Sequence, residues 1–491
     1  MLTLKLIILA IFRLVGPTSF GDPLDDHHST NNNGSDLEEW IKIQYKTSKT
    51  MLLHNVSPPG TRRGAVIASP STEHPNYFFN WVRDSALVTN TIVTLWLKEA
   101  NGEEAIPLEN LIWDIADFNL DIMDTSSPCS CFGEPKFMVN GNAFTEPWGR
   151  PQNDGPSLRA LTFIRYARHY LKTQFIDSGL EHSHASSHYH HIDILSRLPA
   201  MTVITRDLDY IAKVHSDICF DLWEEVNGHH FHTRLVQYAA LTRGAEFIKT
   251  YLNDTKTADN YLLQAKTLLN RLTKDHVDTK GKMIRASVDV INDSKKYSNL
   301  DASVILAVLQ ADVSEFSVMN PYVVDTVSKI VKVMSDLYPI NKEGDDEKLR
   351  SKYGDGGRLA PAIGRYPEDV YDGYGISTGN PWFLTTLAMA EYLYKLSLFK
   401  HDDSDSEVLL LQQNQPRNDQ GYAMSSRLRR SLIRAGDSFL WRVKKHAGET
   451  GSMSEQFHRN TGFMEGARDL TWSYAAFLTA IWARERALDE L

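Results

Sequence analysis

Apolar residues return every three or four positions through much of this chain and alternate strictly in few places, which predicts helices rather than strands. Leu37, Trp40, Ile41 and Tyr45 open the pattern. Order is therefore expected to begin near Leu37, with an amphipathic helix that buries one stripe. The same periodicity marks residues 84–97, 157–171, 236–248, 302–309, 383–396 and 469–488, the fifth of these through Phe383, Leu387, Ala390 and Tyr394. Gly, Pro and Trp gather between these stretches, as in EPWGRPQNDGP and GRYPEDVYDGYG, which read as loops. Many helices joined by aromatic, polar loops predict an all-α fold. Antiparallel helix pairs would close about a common axis, with a pocket built by loops at one end. No Pro-rich or Ser/Thr-rich linker sets off a second module, so residues 37–491 are expected to form a single domain.

Ahead of that domain, Lys5 precedes an apolar run from Leu6 to Phe12, and the small residues Ser19 and Gly21 precede Asp22. Residues 1–21 therefore read as a secretory signal, too short in its apolar part to span a membrane and interrupted by Arg13. Residues 22–36 read as a flexible polar leader. Entry into the secretory pathway, with an extracellular or vacuolar destination, follows as an expectation. N-glycosylation sequons stand at Asn33, Asn55, Asn253 and Asn292. Of the three cysteines, Cys129 and Cys131 lie only two apart, so a bridge from one of them to Cys219 is expected if any forms.

Composition narrows the function. Hydrophobic residues make up 42% and charged residues 23%, as in an ordinary globular protein. A net charge of -10 without a basic run argues against nucleic acid and anionic membranes as partners. A neutral substrate fits better. Ten Trp and twenty Tyr supply flat faces on which sugar rings can pack, although large helical proteins also bury such rings for packing alone. Five histidines between 182 and 191 offer metal ligands, yet their Ser and Ala neighbours make a surface loop the plainer reading. Residues 401–418, mixed in acids, Gln and Ser, read as an external loop.

Chemistry concentrates in two places. DLWEEVNG holds Asp221, Trp223, Glu224 and Glu225, and GSMSEQFHRNTG holds Glu455 as its only acid. Two such carboxylates, distant in sequence, suit glycoside hydrolysis, in which one carboxylic acid protonates the leaving oxygen and a carboxylate attacks or activates water. A single Glu is usually a solvated helix residue, so each alone carries little weight.

Five motifs in order give those two acids a context: ASPSTEHPNYFFNWVRDSAL, WGRPQNDGPSLRA, FDLWEEVNG, GRYPEDVY with GNPWF, and SMSEQFHRNTG with RDLTWSYAA. Together they span most of the chain, and the sequence resembles the fungal and yeast glucoamylases of glycoside hydrolase family 15. That resemblance implies an (α/α)6 barrel and an inverting, exo-acting glucan 1,4-α-glucosidase that releases β-glucose from the non-reducing ends of starch, dextrins or glycogen. It implies Glu224 as general acid and Glu455 as general base, with carboxyl groups about 6.5–9.5 Å apart. Arg83 and Asp84 match the pair that grips the terminal glucose, and Tyr77, Trp81 and Trp148 match the rings of the first subsites. Arg365, Tyr371, Trp382, Glu225 and Gln456 match further sugar contacts, and Leu222 one made through its carbonyl. Asp221 and Trp223 flank the acid, and both are expected to raise its pKa, the indole by desolvation and the carboxylate by repulsion. Phe79, Asn153, His229 and His230 depart from the pattern of many relatives and are expected to retune outer subsites.

No cofactor or metal is implied, no starch-binding module is expected, and the enzyme is expected to act as a monomer. Three alternatives remain. A related α-glucosidase specificity would differ in relative rates on maltose and isomaltose. A silent glucan-binding domain would bind without hydrolysis, and a metal-dependent hydrolase using the His-rich segment would be inhibited by chelators.

Overall fold

The computed structural model of the chain describes residues 33–99, 102–178, 198–291, 296–345, 359–399 and 426–491. Among these residues run twelve α-helices. They are α1 (Asn33–His54), α2 (Val82–Lys98), α3 (Ala105–Asp124), α4 (Asp154–Ser178), α5 (Pro199–Val214), α6 (Phe231–Phe247), α7 (Thr255–Arg271), α8 (Ser303–Ala311), α9 (Pro321–Leu337), α10 (Phe383–Ser397), α11 (Ser426–His446) and α12 (Thr471–Asp489). The six runs predicted after the first helix fall on α2, α4, α6, α8, α10 and α12.

Those six form a closed inner ring: α2 packs on α4, α4 on α6, α6 on α8, α8 on α10, α10 on α12, and α12 returns to α2. Each odd-numbered helix from α3 to α11 packs outside the even-numbered helix that precedes it, as α11 does on α10, and α1 packs on α12. The architecture is an (α/α)6 barrel. Sequence accounts for the two layers. Inner helices are covered on nearly all sides; α6 buries every residue from Phe231 to Leu241, as expected of a helix without a solvent face. Outer helices bury a stripe, such as Val323, Val327, Ile330 and Met334 of α9. Asn320 caps α9 by accepting from the Tyr322 and Val323 amides, with Pro321 at its first turn. The first helix begins at Asn33, within the segment read as a leader, and Lys444 pairs with Asp36 at 2.7 Å there.

A buried ion pair ties three helices together. Arg159 of α4 forks onto Asp207 of α5 at 2.7 and 2.8 Å and donates to Asn119 of α3 at 3.0 Å. Breaking such a pair from one side costs about 3–5 kcal/mol, because the remaining charge stays buried.

Loops at the N-terminal ends of the inner helices carry short antiparallel strands. β1 (Asn80–Trp81) pairs with β2 (Lys136–Phe137), and β3 (Cys219–Phe220) pairs with β4 (Asn227–His230). Beyond them are β5 (Val277–Asp278), β6 (Met283–Ile284), β7 (Ser287–Val288), β8 (Gln456–Phe457) and β9 (Met464–Glu465). Strands of two to four residues are too short to show a clear alternating period, which is why the sequence did not announce them.

One expectation is corrected. The disulfide joins Cys129 to Cys131, and Cys219 is free and buried. Ser130 between them takes a left-handed φ of 52°, which turns the chain so that the two Cα atoms lie 5.1 Å apart, inside disulfide reach. The Asn55 sequon is not presented at the surface: its amide is buried and donates to Thr471 Oγ1 at 2.9 Å and to the Asp469 carbonyl at 3.2 Å. Asn253 is exposed. Residues 1–21, the five histidines between 182 and 191, the 401–418 segment and Asn292 lie outside the described residues. Among the described residues no helix is long and apolar enough to cross a membrane, and no cluster of His, Cys, Asp or Glu has the form of a metal site.

Candidate active site

Residues 221–226 form the turn of a hairpin between β3 and β4. Asp221 closes it: its amide donates to the Val226 carbonyl, and its Oδ1 accepts from the Glu225 and Val226 amides at 2.8 and 2.9 Å. Glu224 takes a left-handed φ of 68° at the tip. In a regular helix or strand, neighbouring acids have fixed relative directions; this turn sends Glu224 and Glu225 to different partners.

Glu224 faces α2 and the loop before α4. Its Oε1 accepts from Trp81 Nε1 at 2.7 Å, Gln152 Nε2 at 3.2 Å and Arg83 Nη2 at 3.3 Å, and its Oε2 accepts from Trp148 Nε1 at 2.9 Å. Glu225 instead accepts from Arg365 at 2.7 Å and from the Tyr366 hydroxyl at 2.5 Å. Arg365 also forks onto Asp369 at 2.6 and 2.8 Å and lies over the rings of Trp223, Tyr371 and Trp382.

Glu455 reaches the same cavity from the strand β8 side and is buried. Gln456 Nε2 donates to its Oε2 at 3.2 Å. Burial pushes Glu455 up to about 7, against Tyr77, Arg365, Gln456 and Tyr371, which pull it down. A glycine opposite makes the room: a Cβ on Gly466, whose φ is 71°, would fall 2.5 Å from Glu455 Oε2.

These groups wall one cavity of about 660 Å³ at the N-terminal ends of the inner helices, where the helix dipoles point their positive ends. It brings together Tyr77, Trp81, Arg83, Asp84, Trp148, Leu222, Trp223, Glu224, Glu225, Arg365, Tyr371, Trp382 and Glu455. Burial sets its depth, because Arg83 and Asp84 are 5% and 8% exposed whereas Trp148 is 37% exposed. Arg83 donates to Gln152 at 2.9 Å and Asp154 at 3.1 Å. Asp84 beside it is raised to about 6, by burial above all and against the pull of Arg83.

Asp221 and Gln456 do not reach the cavity wall. Asp221 is held behind it by Lys296 at 2.6 Å, and Gln456 is buried between Glu455 and Asn380. Trp223 turns its N–H to Asp301 at 2.8 Å, and Lys296 pairs with Asp221 at 2.6 Å. Of the departures, Phe79 lines the cavity. Asn153 and His230 lie behind it, bonded to Tyr210 and to the Cys219 carbonyl, and His229 faces Asp289.

Several wall residues were not foreseen. Lys136, paired with Trp81 across β1 and β2, is buried with its ammonium 3.8–4.5 Å from the ring centroids of Phe79, Trp81, Phe144 and Trp148. Burial lowers it to about 8. Phe144, Tyr374 and Trp472 also line the cavity. Trp472 sits in the quoted RDLTWSYAA motif, where a Trp among helix formers could have been singled out; GEPKF carries no such signal.

Known proteins resemble this chain in sequence and in fold. The profile of Glycosyl hydrolases family 15 matches residues 46–482. Glucoamylase 1 of Rhizopus oryzae is 36% identical over 473 residues, covering 92% of this chain and 72% of its own. The intracellular sporulation-specific glucoamylase of Saccharomyces cerevisiae is 32% identical, covering 94% of this chain and 86% of its own. Among solved structures, the glucoamylase from Saccharomycopsis fibuligera superposes with a TM-score of 0.75 at 28% identity, over 94% of this chain and 99% of that one. The chain belongs to glycosyl hydrolase family 15 and is a glucan 1,4-α-glucosidase.

Proposed function

We propose that Glu224 is the proton donor and Glu455 the water-activating base of an inverting hydrolysis at the non-reducing end of an α-glucan, with β-glucose as the product. The observation that carries this reading is the convergence of two carboxylates from opposite sides on one cavity, with an arginine and an acid buried at its inner end. Inversion needs a proton for the departing oxygen on one face of the sugar and a water on the other. Glu224 sits beside Trp148, at the exposed part of the cavity, where the rest of the chain leaves. Glu455 sits deeper, flanked by Tyr77 and Tyr371. Arg365 beside it supports its ionised form once sugar fills the cavity.

Exo action follows from depth. Arg83 and Asp84 occupy the buried end, and Arg83 Nε and Trp382 Nε1 are buried wall groups without a hydrogen-bond partner among the described residues, suited to donate to sugar hydroxyls. A cavity closed there admits a chain end and refuses the middle of a polymer. Aromatic rings and Lys136 at the wider part suit the second sugar. Substrates are starch, dextrins or glycogen, and the enzyme needs no cofactor. It follows the secretory pathway to an extracellular or vacuolar site.

The test is the anomer of glucose released from maltoheptaose, followed by NMR. Wild type should yield β-glucose, with Glu224→Gln and Glu455→Gln slowed by orders of magnitude. Release of α-glucose would defeat the inverting mechanism. Binding of maltoheptaose by wild type without release would make the chain a silent glucan-binding domain.

A further inference from the structure

A second cavity, of about 600 Å³, opens on the barrel axis from the end opposite the active site. All six inner helices contribute to it, and Trp472 belongs to the walls of both cavities. Its inner part is apolar, lined by Leu87, Leu158, Leu161, Leu384, Ala388 and Ala476. Its outer part is a collar of cations: Arg165, Arg168, Arg243, Lys395 and Arg486, against the two carboxylates Asp312 and Glu391. Five cations less two acids leave a surplus of three, in a chain whose net charge is -10.

The C-terminal ends of the inner helices converge here, and each carries roughly half a negative charge that such cations can offset. That accounts for Arg243 and Lys395, which donate to the carbonyls of Asp312 at 2.6 Å and Leu309 at 3.4 Å. It does not account for Arg165 and Arg168, one turn apart on α4. Among the described residues Arg165 reaches only neutral acceptors, Asn90 and Thr94, and burial alone lowers its pKa. Arg168 meets Glu246 at 2.8 Å, while its Nε is buried without a hydrogen-bond partner among the described residues. Trp482 Nε1, on the same cavity, is likewise buried and has none among the described residues. His169 beside them is lowered by burial and then by Arg165, Lys172 and Arg168, as a positive local field requires.

We infer that this cavity binds an anionic amphiphile, a single-chain alkyl carboxylate or alkyl sulfate, with its head group on Arg165, Arg168 and the Trp482 N–H and its chain along Leu158, Leu161 and Leu384. The chemistry is complementary at both ends. Buried donors without acceptors among the described residues favour an anionic oxygen, and the leucine-lined part of the cavity favours a hydrocarbon over water.

Isothermal titration of the full chain, without glucan, with decanoate, decanol and inorganic phosphate tests this. Decanoate should bind one to one and at least about tenfold more tightly than decanol or phosphate. Arg168→Gln should weaken decanoate about tenfold or more. Ala476→Phe should remove its binding by filling the cavity, with circular dichroism and maltoheptaose hydrolysis unchanged in both variants. Absence of decanoate binding at millimolar concentration, or equal affinity in wild type and both variants, would overturn the inference. Phosphate binding as tightly as decanoate would also overturn it, since the site would then select a small anion.

Discussion

Replacing Glu224 with Gln separates proton donation from every other role of that side chain. A glutamine keeps the shape but offers one acceptor oxygen in place of two. Three donors, Trp81, Gln152 and Arg83, converge on the Oε1 position, and only Trp148 on Oε2. The amide oxygen will therefore take the Oε1 place and turn its NH2 toward the Trp148 N–H. One hydrogen bond is lost and two donors face each other, an effect of about 1–3 kcal/mol on binding and local order. Loss of a general acid costs about 10²- to 10⁴-fold, or roughly 3–5 kcal/mol in the barrier. The two effects fall on different parameters and substrates. With maltoheptaose, whose leaving oxygen needs a proton, Glu224→Gln should lose about 10²- to 10⁴-fold in kcat. With α-glucosyl fluoride, whose leaving group departs without one, kcat should fall by less than about tenfold. Glu455→Gln should be equally impaired on both, because both reactions need an activated water. Stopped-flow or steady-state fluoride release supplies the assay. Equal losses on the two substrates for Glu224→Gln would refute its role as acid, and a fluoride reaction spared in Glu455→Gln would assign donation to Glu455.

Three other outcomes follow from the same geometry. Glu455 has a folded pKa of about 7 against an ordinary 4.5, so the stability linked to its proton is complete below about pH 4.5 and lost as pH rises through 7, a loss of about 3 kcal/mol. Glu455→Gln should thus gain in Tm over wild type as pH rises from about 4 to 8, and a constant difference across that range would contradict the burial argument. Gly466→Ala should lower kcat by about tenfold or more with little change in circular dichroism, because its new Cβ would fall 2.5 Å from Glu455 Oε2. An unchanged kcat would mean that Glu455 has room to move. Lys296→Met should cost about 3–5 kcal/mol in chemical denaturation, since Lys296 faces Asp221 at 2.6 Å and Glu225 and Asp301 at 3.4 Å; a loss below about 1 kcal/mol would show those acids to be hydrated.

The barrel was legible in the sequence mainly through its inner layer. Helices such as α6 and α10 are covered all round, so their apolar residues run nearly without interruption. Helices α3, α5, α7, α9 and α11 bury one stripe under a polar face. Their signal is diluted by solvent-facing residues, and the sequence reading did not name them. Ring closure was readable only as an expectation of helix pairs, because the return of α12 to α2 is a contact across the whole chain.

At the site, local chain geometry decided what sequence adjacency could not. Glu224 and Glu225 are neighbours, and a left-handed residue in a six-residue turn sends one to Trp81 and Trp148 and the other to Arg365. Glu455 and Gln456 are neighbours on a strand start, and only the first lines the cavity. Arg83 and Asp84 are neighbours at a helix start, and both do. The motifs carrying these pairs could be read in order, but which member of each faces substrate depends on a φ angle or a two-residue ladder. Lys136 makes the same point from the other side. Its motif gives no hint of function, yet its register opposite Trp81 places an ammonium among four rings and near the Glu224 carboxylate. A chain of this family thus reveals its acids by composition and motif, and hides its cation in strand pairing. Substitutions at Lys136 should consequently alter substrate affinity before they alter stability, because the pairing that positions it is made by backbone and survives the loss of its side chain.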